Sequence, residues 1–292
     1  MGTVYAVKSP LASLALAVLT LFSASLLSAA AKPDAQAIVR RSVKVNDGDW
    51  RALPNYSHHE RDVTAKLDSS GKPTSIERKT YRVLMIDGSP YQEVVAVDGK
   101  PLTGDAQAAE KAKLQQEIDK RAHESDRARA ARIQKYEKER AEEHLLMNQM
   151  AEAFNFKLAG EENINGHECY VLDATPKPDY QPPVTKARVL LGMKGRLWVD
   201  KDTYHWVRVR AQVVNPVEFG LFVAKVRPGT EFELEQAPID GNIWLPIHFA
   251  EKVNARILGI YGIRNSDEEF YSEYQRASAN AYAPKSSTEK HE

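Results

Sequence analysis

The sequence of 292 residues contains a single cysteine and none of the common enzyme signatures. Cys169 excludes an intramolecular disulfide, and its position in an apolar run favours a buried, inert thiol over a reactive one. No G-x-S-x-G, P-loop or G-x-G-x-x-G pattern occurs, and the histidines lack the spacing of a zincin. We therefore predict no catalytic residue and no cofactor, with a hydrolase of unrecognised site as a remaining alternative.

The sequence also lacks net charge. Lysine and arginine total 40, and aspartate and glutamate total 40, so no overall field attracts nucleic acid or an anionic membrane. The cluster His58-His59-Glu60 contains metal-binding residue types, but adjacent residues of a strand point to opposite faces. The two histidines cannot easily share one ion, so no metal site is predicted.

Residues 1–31 are predicted to be a signal peptide. Lys8 precedes an apolar run at residues 11–27, and Ala29 and Ala31 fit an A-x-A cleavage site. An uncleaved membrane anchor is the alternative, because the apolar run has the length of the shortest spanning helices. No cysteine lies near the cleavage site, so the mature chain is expected to be exported and soluble, without a lipid anchor there.

The hairpin at residues 195–213 is the segment around which the rest of the fold is predicted to be built. β-branched and aromatic residues flank the polar sequence DKDT. A three-residue loop, KDT, pairs Trp198 with Trp206 and Leu197 with Val207. This register places on one face the apolar residues Leu197, Val199, Val207, Val209, Ala211 and Val213, and on the other face Trp198, Trp206, Arg208, Arg210 and Gln212.

The remaining pattern predicts a short helix followed by antiparallel strands. Asp34 can cap a helix that runs to Val45 and stops at the sequence NDGD. Strands then alternate with turns in two meanders. Several strands of the second meander have an uninterrupted apolar face. Two interpretations explain it, namely ordinary core packing and a groove for hydrophobic cargo. The residues expected to line such a groove are Val207, Val209, Phe222, Phe232, Leu234, Leu245, Ile247, Phe249, Ile257, Tyr261 and Ile263.

Residues 105–153 differ in composition from the rest of the chain. Glycine and proline are absent, and ten basic residues balance ten acidic ones up to Gln149. This composition predicts a long charged helix or helical hairpin inserted between strands. Its apolar end must pack on the sheet, whereas its first part is expected to be free. A solvated helix and a partner-binding arm or lid are the two interpretations. Residues 277–292 are predicted to be a disordered tail.

The hairpin sequence and the order of the elements together resemble a known family. The hairpin reads LWVD, a short polar turn and WVRV, and the order from residue 35 to residue 276 is short helix, meander, helical segment and long meander. This is similar to the LolA/LolB-like superfamily of periplasmic lipoprotein carriers. The resemblance implies an α+β fold over residues 32–276, in which a curved antiparallel β-sheet, a half-barrel, cradles acyl chains. The helical insertion is longer and more charged than the helical lids of that family.

Two functions are consistent with this resemblance. The first is a non-enzymatic periplasmic carrier or binding protein for lipoproteins or other acylated ligands, with a place in lipoprotein transport and outer-membrane biogenesis. Shielding an acyl chain from water is favourable by a free energy of about 0.8 kcal/mol per methylene. The second is an envelope interaction or sensor protein that binds a protein partner through residues 105–153, with the sheet as scaffold. Lipid bound to the purified protein would separate the two.

Overall fold

The computed structural model describes residues 33–220, 223–258 and 261–277, and the predicted signal peptide and residues 278–292 of the predicted tail lie outside these ranges. The helices in this part are α1 (Ala35–Ala52), α2 (Gly104–Ala122) and α3 (Asp126–Ala153), with 3₁₀ helices at Leu53–Asn55 and Thr185–Gly192. The strands are β1 (Tyr56–Leu67), β2 (Pro73–Ile86), β3 (Ser89–Val97), β4 (Lys100–Pro101), β5 (Phe154–Ile164), β6 (His167–Pro176), β7 (Met193–Asp200), β8 (Trp206–Val213), β9 (Val217–Phe219), β10 (Ala224–Val226), β11 (Glu231–Asp240), β12 (Ile243–Ile257) and β13 (Tyr261–Arg276).

All strands belong to one curved antiparallel sheet. Its order is β4-β3-β2-β1-β13-β12-β11-β8-β7-β6-β5, and β9 and β10 extend from β12. The strands at the two ends of this order do not pair with each other within the described ranges, so the sheet is open. The predicted α+β class, with a curved sheet, an N-terminal helix and an inserted helical hairpin, is confirmed.

Helix α1 is longer than predicted. Asp34 caps it as expected, and its side chain accepts a hydrogen bond from the Gln36 amide at 2.9 Å. The helix continues through the sequence NDGD to Ala52 because two of these polar residues have buried partners. Asn46 donates to the Ser42 carbonyl at 2.8 Å, and Asp49 accepts from the Trp244 amide at 3.1 Å. A bond within the helix and a tertiary contact to β12 thus override a local stop signal.

The register of the central hairpin also differs from the prediction. The loop is one residue longer, since the Asp200 amide bonds to the His205 carbonyl at 2.9 Å. A β-bulge then follows, so that Val199 pairs with Trp206 while Trp198 pairs with Arg208. Trp206 and Val207 therefore exchange faces relative to the prediction, whereas the residues beyond the bulge keep theirs.

Helix α2 is not free of the sheet, contrary to the expectation for the first part of the insertion. Leu114 packs with Leu84 and Ile86 in a small buried cluster. The buried Arg121 guanidinium donates to the carbonyls of Ile86 at 2.7 Å and Ser89 at 2.9 Å, and pairs with Glu117 at 2.8 Å. The few apolar contacts of α2 are thus supplemented by a buried guanidinium that donates four hydrogen bonds.

Helix α3 contacts the end of α1 through its second half. His144 stacks on Trp50, with ring centroids 4.0 Å apart, and its Nε2 lies 2.7 Å from Asp47. Arg140 donates to the Trp50 carbonyl at 2.6 Å. None of the helices in the described ranges is long and apolar enough to cross a membrane.

Candidate functional site: an apolar cavity on the inner face of the sheet

One face of the sheet, which we call the inner face, carries α1, the end of α3 and the 3₁₀ helix Thr185–Gly192. Directly opposed residues of antiparallel strands share a face, so the pairings trace one row of side chains across it. From β5 to β3 this row is Leu158, Leu172, Leu197, Val209, Leu234, Phe249, Glu269, Asp62, Lys79 and Val97. The inner face is therefore apolar over six strands and becomes charged where β12 meets β13.

Trp206 fixes α1 to the apolar part of the inner face. Its indole is almost completely buried, and Nε1 donates to the Ser42 hydroxyl at 2.9 Å. Ser42 donates in turn to the Val39 carbonyl at 2.9 Å, so the polar atom of the tryptophan is satisfied within the core. The longer loop before β8 places Trp206 on the inner face, where it anchors α1 to the sheet.

A cavity of about 250 Å³ remains between this cover and the sheet. Its floor includes Leu197, Val209 and Leu234, and its cover comes from α3 and the 3₁₀ helix, with the side chains Leu146, Met147, Met150, Val189 and Leu190. The lining is almost wholly apolar, and the charged residues that touch it are Lys194, Arg210 and Glu233. It is somewhat smaller than ligand pockets of roughly 300–1,000 Å³, so it can enclose part of an alkyl chain.

The structure brings together four of the eleven residues predicted to line a groove, namely Val209, Phe232, Leu234 and Phe249. It places Val207 elsewhere, buried with Trp198 and Cys169. Leu245 is only 1% exposed and lies outside the cavity lining, and Ile247 lies at a β-bulge.

The other predicted lining residues lie far along the sheet or outside the described ranges. Ile257, Tyr261 and Ile263 are at the end of the β12–β13 hairpin, where Tyr261 is 67% exposed. Ile257 is about 26 Å along β12 from Phe249, at about 3.3 Å per residue. Phe222 falls in the gap at residues 221–222.

Sequence reasoning missed most of the cover. The apolar end of the insertion was expected to pack on the sheet, but Leu146, Met147 and Met150 were not recognised as cavity residues. The sequence pattern predicts no helix or strand for Val189 and Leu190, although the run VLL in an otherwise polar segment is a usable signal. The predicted register places Trp206 on the other face, because neither the longer loop nor the bulge has a clear mark in the sequence.

The charged part of the inner face is a band of carboxylates. Glu269 and Asp62 follow Phe249 in the first row, and a parallel row passes from Phe232 to Glu251 and Asp267. Burial raises the pKa of Asp62 to about 7, with further contributions from Glu60 and Glu269. Burial also raises the pKa of Glu251, and Asp267 and Glu269 add to the effect. We call Asp62, Glu251, Asp267 and Glu269 the carboxylate band.

Replacement of Asp62 by asparagine is expected to stabilise the protein increasingly as the pH rises. The folded-state pKa of Asp62 lies above its ordinary value, so its contribution to stability is complete below about pH 4 and is lost as the pH rises through about 7. Because the side chain is half exposed, we expect a gain of only about 1 to 2 kcal/mol for Asp62→Asn near pH 8. Urea unfolding at about pH 4 and pH 8 measures it, and an equal effect at both pH values would contradict the assignment.

Two groups with potential reactivity do not form a site in the described ranges. Burial raises the pKa of the Cys169 thiol to about 12, so the thiol stays protonated and unreactive near neutral pH. Between residues 33 and 277, outside the two short gaps, no group of three or more His, Cys, Asp or Glu side chains could hold a metal ion. His58 and His59 each lie near a different glutamate, Glu60 and Glu273.

Comparisons with known proteins give structural matches only. No protein-family model matches the chain, and no curated protein matches it in sequence. A LolA superfamily protein from Nitrosomonas europaea is 12% identical over 84% of this chain and 94% of its own, with a TM-score of 0.30. The domain of an outer membrane lipoprotein-sorting protein from Vibrio parahaemolyticus is 11% identical over 84% and 97%, with a TM-score of 0.32.

A third match is the MucA/MucB complex of Pseudomonas aeruginosa, at 12% identity over 85% of this chain and all of that chain, with a TM-score of 0.23. At these TM-scores and identities no function is taken from any of the three. The solved structures that the chain matches thus include members of the LolA superfamily, the family that its sequence resembles.

Proposed function

We propose that this chain is a non-enzymatic periplasmic carrier or binding protein for the acyl chains of lipoproteins or other hydrophobic ligands. The observation that supports it is the apolar cavity between the sheet and its helical cover. An alkyl chain can pack against this lining, and it has no polar groups that would need hydrogen-bond partners there. It offers few partners to a polar substrate, whose desolvation would be uncompensated.

The energetics of the cavity favour an alkyl chain. Each methylene removed from water contributes about 0.8 kcal/mol, so a chain that inserts even part of its length gains several kcal/mol. The cover supports reversible entry, since Met147 and Met150 have flexible thioether side chains that adapt to differently shaped ligands. Lipid that copurifies with the protein, detected by mass spectrometry, is the direct test.

Placing a charge in the cavity is expected to abolish ligand uptake while the fold persists. Leu234 is half-buried and lies on the cavity floor, so Leu234→Glu puts a carboxylate where the alkyl chain must lie. We expect the affinity for a neutral fluorescent acyl probe to fall by about 100-fold or more, because burying the ionised group uncompensated costs several kcal/mol. Gln212→Glu adds the same charge at an exposed site on the outer face and is the control.

Probe fluorescence and circular dichroism are measured together for both variants. Parent-like binding by folded Leu234→Glu would contradict the carrier function. Loss of binding in both variants would show that added negative charge, and not its place in the cavity, is the cause.

Export is the part of the proposal that rests on residues outside the described ranges. The mature chain is expected to begin near Lys32 and to be released by osmotic shock, because the predicted cleavage site follows a short apolar run. N-terminal sequencing of the released protein measures this. Recovery of an intact Met1 in the membrane fraction would show the segment to be an anchor instead.

Partner binding through residues 105–153 is the second candidate function. The interpretation as a free arm loses its main support, because α2 and α3 both pack on the rest of the chain through Leu114, Arg121 and His144. The exposed surfaces of the two helices are still large and charged, as in Lys135 and Glu139. Probe binding that is unchanged in Leu234→Glu, together with no copurified lipid, would favour this function.

A further inference from the structure

Exposed apolar side chains gather at one end of the sheet, around the tip of the β12–β13 hairpin. Eight large apolar residues of the described ranges are exposed, and the three most exposed, Tyr261, Leu258 and Val223, all lie there. Ile263, also exposed, follows on β13. The Leu258 amide donates to the Val223 carbonyl at 3.0 Å, so the two segments are in contact. We call these four residues the apolar tip, and they form a cluster and not the scattered single residues of an ordinary surface.

Leu258 has a backbone conformation that leucine rarely adopts. Its φ is +49°, in the left-handed region where glycine and asparagine are the usual residues. The residue is also 59% exposed, so its side chain gains little from packing within the protein. Neither the local backbone nor the core explains a leucine at this position. A contact made outside this chain explains it.

Basic side chains surround the apolar tip. Residues 223–230, 252–258 and 261–265 include no acidic residue and five basic ones, which we call the basic rim: Lys225, Arg227, Lys252, Arg256 and Arg264. Two acidic residues border the rim, since Glu218 pairs with Lys225 at 2.9 Å and Glu231 is opposite Lys252. This end of the sheet is therefore locally positive, although the whole chain has no net charge.

The strand pairing separates the two kinds of side chain. Arg256 is directly opposite Lys225 on β10, and the alternation along β12 places both on the outer face. Ile257 and its partner Tyr261 are on the inner face, as is Ile263. The end of the sheet thus has an apolar side and a basic side that meet at the apolar tip.

The inner face between the apolar tip and the cavity is also apolar. Strand β10 continues the line of β11 along β12, and its Ala224 and Val226 are opposite Ile257 and Ala255. Val226 packs against the main core, as does the cavity residue Phe232. Apolar side chains therefore follow one another from the cavity to the end of the sheet.

From these observations we propose that the apolar tip and the basic rim form a docking surface for an anionic lipid bilayer. The tip enters the boundary between headgroups and acyl chains, and the rim contacts the anionic headgroups. The inference goes beyond the carrier function, because the docking surface is separate from the cavity. In this orientation the apolar inner face of β10 connects the bilayer with the cavity.

A bilayer fits this surface better than a nucleic acid or an acidic polypeptide does. The phosphates of a nucleic acid can pair with the basic rim, but they leave the exposed apolar side chains in water. A highly acidic polypeptide has the same deficiency, since it has few apolar groups. An anionic bilayer has charged headgroups directly above apolar chains, so it complements the rim and the tip together.

Cosedimentation of the mature protein with lipid vesicles tests the basic rim. One set of vesicles is pure phosphatidylcholine, and the other contains about 30% phosphatidylglycerol. We expect about 10-fold tighter binding to the anionic vesicles, and a smaller difference in about 0.5 M salt. Lys252→Gln/Arg264→Gln should weaken binding to the anionic vesicles about 10-fold, since each basic residue near such a surface increases the affinity several-fold. Lys111→Gln/Lys157→Gln removes the same charge from α2 and β5 and should bind as the parent does.

Leu258→Asn tests the apolar tip. Asparagine tolerates the left-handed backbone, so the variant should fold, while its affinity for the anionic vesicles should fall about 5-fold with the lost apolar contact. Val184→Asn is the control, because Val184 is 41% exposed in the loop before the 3₁₀ helix, outside the tip. Leu234→Glu, which changes the cavity, should also bind vesicles as the parent does. Circular dichroism measures folding in each variant.

Each outcome decides the inference. Weaker binding in the rim and tip variants, with parent-like binding in both controls, supports it. Absence of cosedimentation with either set of vesicles overturns it, as does parent-like binding by Leu258→Asn. A loss in Leu234→Glu as large as that in Leu258→Asn shows that vesicle lipid is bound through the cavity and overturns a separate docking surface. Tighter binding to soluble polyglutamate than to anionic vesicles shows a site for acidic polypeptides and overturns the choice of a bilayer.

Discussion

Truncation of Leu172 to alanine is expected to lower the free energy of unfolding by about 2 to 5 kcal/mol, whereas the same change at Leu234 should cost less than about 2 kcal/mol. Both leucines belong to the same row of the inner face. Leu172 is 0% exposed within the main core cluster, so its removal leaves a void enclosed by protein. Leu234 already borders the cavity and has fewer protein contacts to lose.

Leu172 and Leu234 are matched in side chain and in secondary structure. Each change removes the same atoms from a β-strand, so the difference reports how completely the site is packed and not which residue was changed. Urea unfolding of both variants in the absence of ligand gives the two values. Equal losses of more than about 2 kcal/mol would show that Leu234 is ordinary core, and the cavity would then not be available to a ligand.

The strand pattern made much of this fold predictable. Alternation of apolar and polar residues assigned the correct face to Leu197, Val209 and Ala211, because the period of two survives wherever the pairing is regular. The helical insertion was equally clear from composition, since 49 residues without glycine or proline have few other stable conformations.

The candidate site was only partly predictable, for two physical reasons. An apolar strand face indicates that another part of the protein covers it, but it does not indicate which part. Leu245 is buried and Tyr261 is exposed, yet the sequence pattern around the two residues is the same. The cavity depends on where α3 and the 3₁₀ helix lie over the sheet, which is set by long-range apolar packing of residues such as Leu146 and Leu190 in the main core. The longer hairpin loop and the β-bulge after it place Trp206 and Val207 on faces opposite to those predicted, which takes Val207 out of the predicted set.

The carboxylate band shows a related limit. Its four acidic residues come from the β12–β13 hairpin and from β1, which is far from that hairpin in the sequence, and each is one polar residue in an alternating strand. Alternation predicts that such residues point to solvent, yet here they share the inner face with Phe249. Only the pairing of β1 with β13 brings Asp62 opposite Glu269.

Replacement of Gly192 by alanine is expected to destabilise the protein by about 3 kcal/mol, near the upper end of the usual cost of overpacking. A Cβ atom at this position would lie 2.3 Å from the Asn215 carbonyl oxygen and 2.4 Å from Cγ2 of Val217. The backbone there has little freedom to move, because the amides of Val214 and Asn215 both donate to the Gly192 carbonyl, at 2.8 and 3.1 Å.

The same change is expected to weaken ligand binding, since Gly192 ends the 3₁₀ helix that covers the cavity. Relief of the clash must shift this helix, and Val189 and Leu190 would shift with it. We expect acyl-probe affinity to fall about 10-fold, in line with a loss of roughly 1.4 kcal/mol of contact with the ligand. Gly160→Ala is the control, because a Cβ there meets nothing within 4 Å and should change the free energy of unfolding by less than about 0.5 kcal/mol. Thermal unfolding and probe titration of both variants measure the two effects, and a Gly192→Ala protein with parent-like stability and weakened binding would show that the covering helix moves without any cost to the fold.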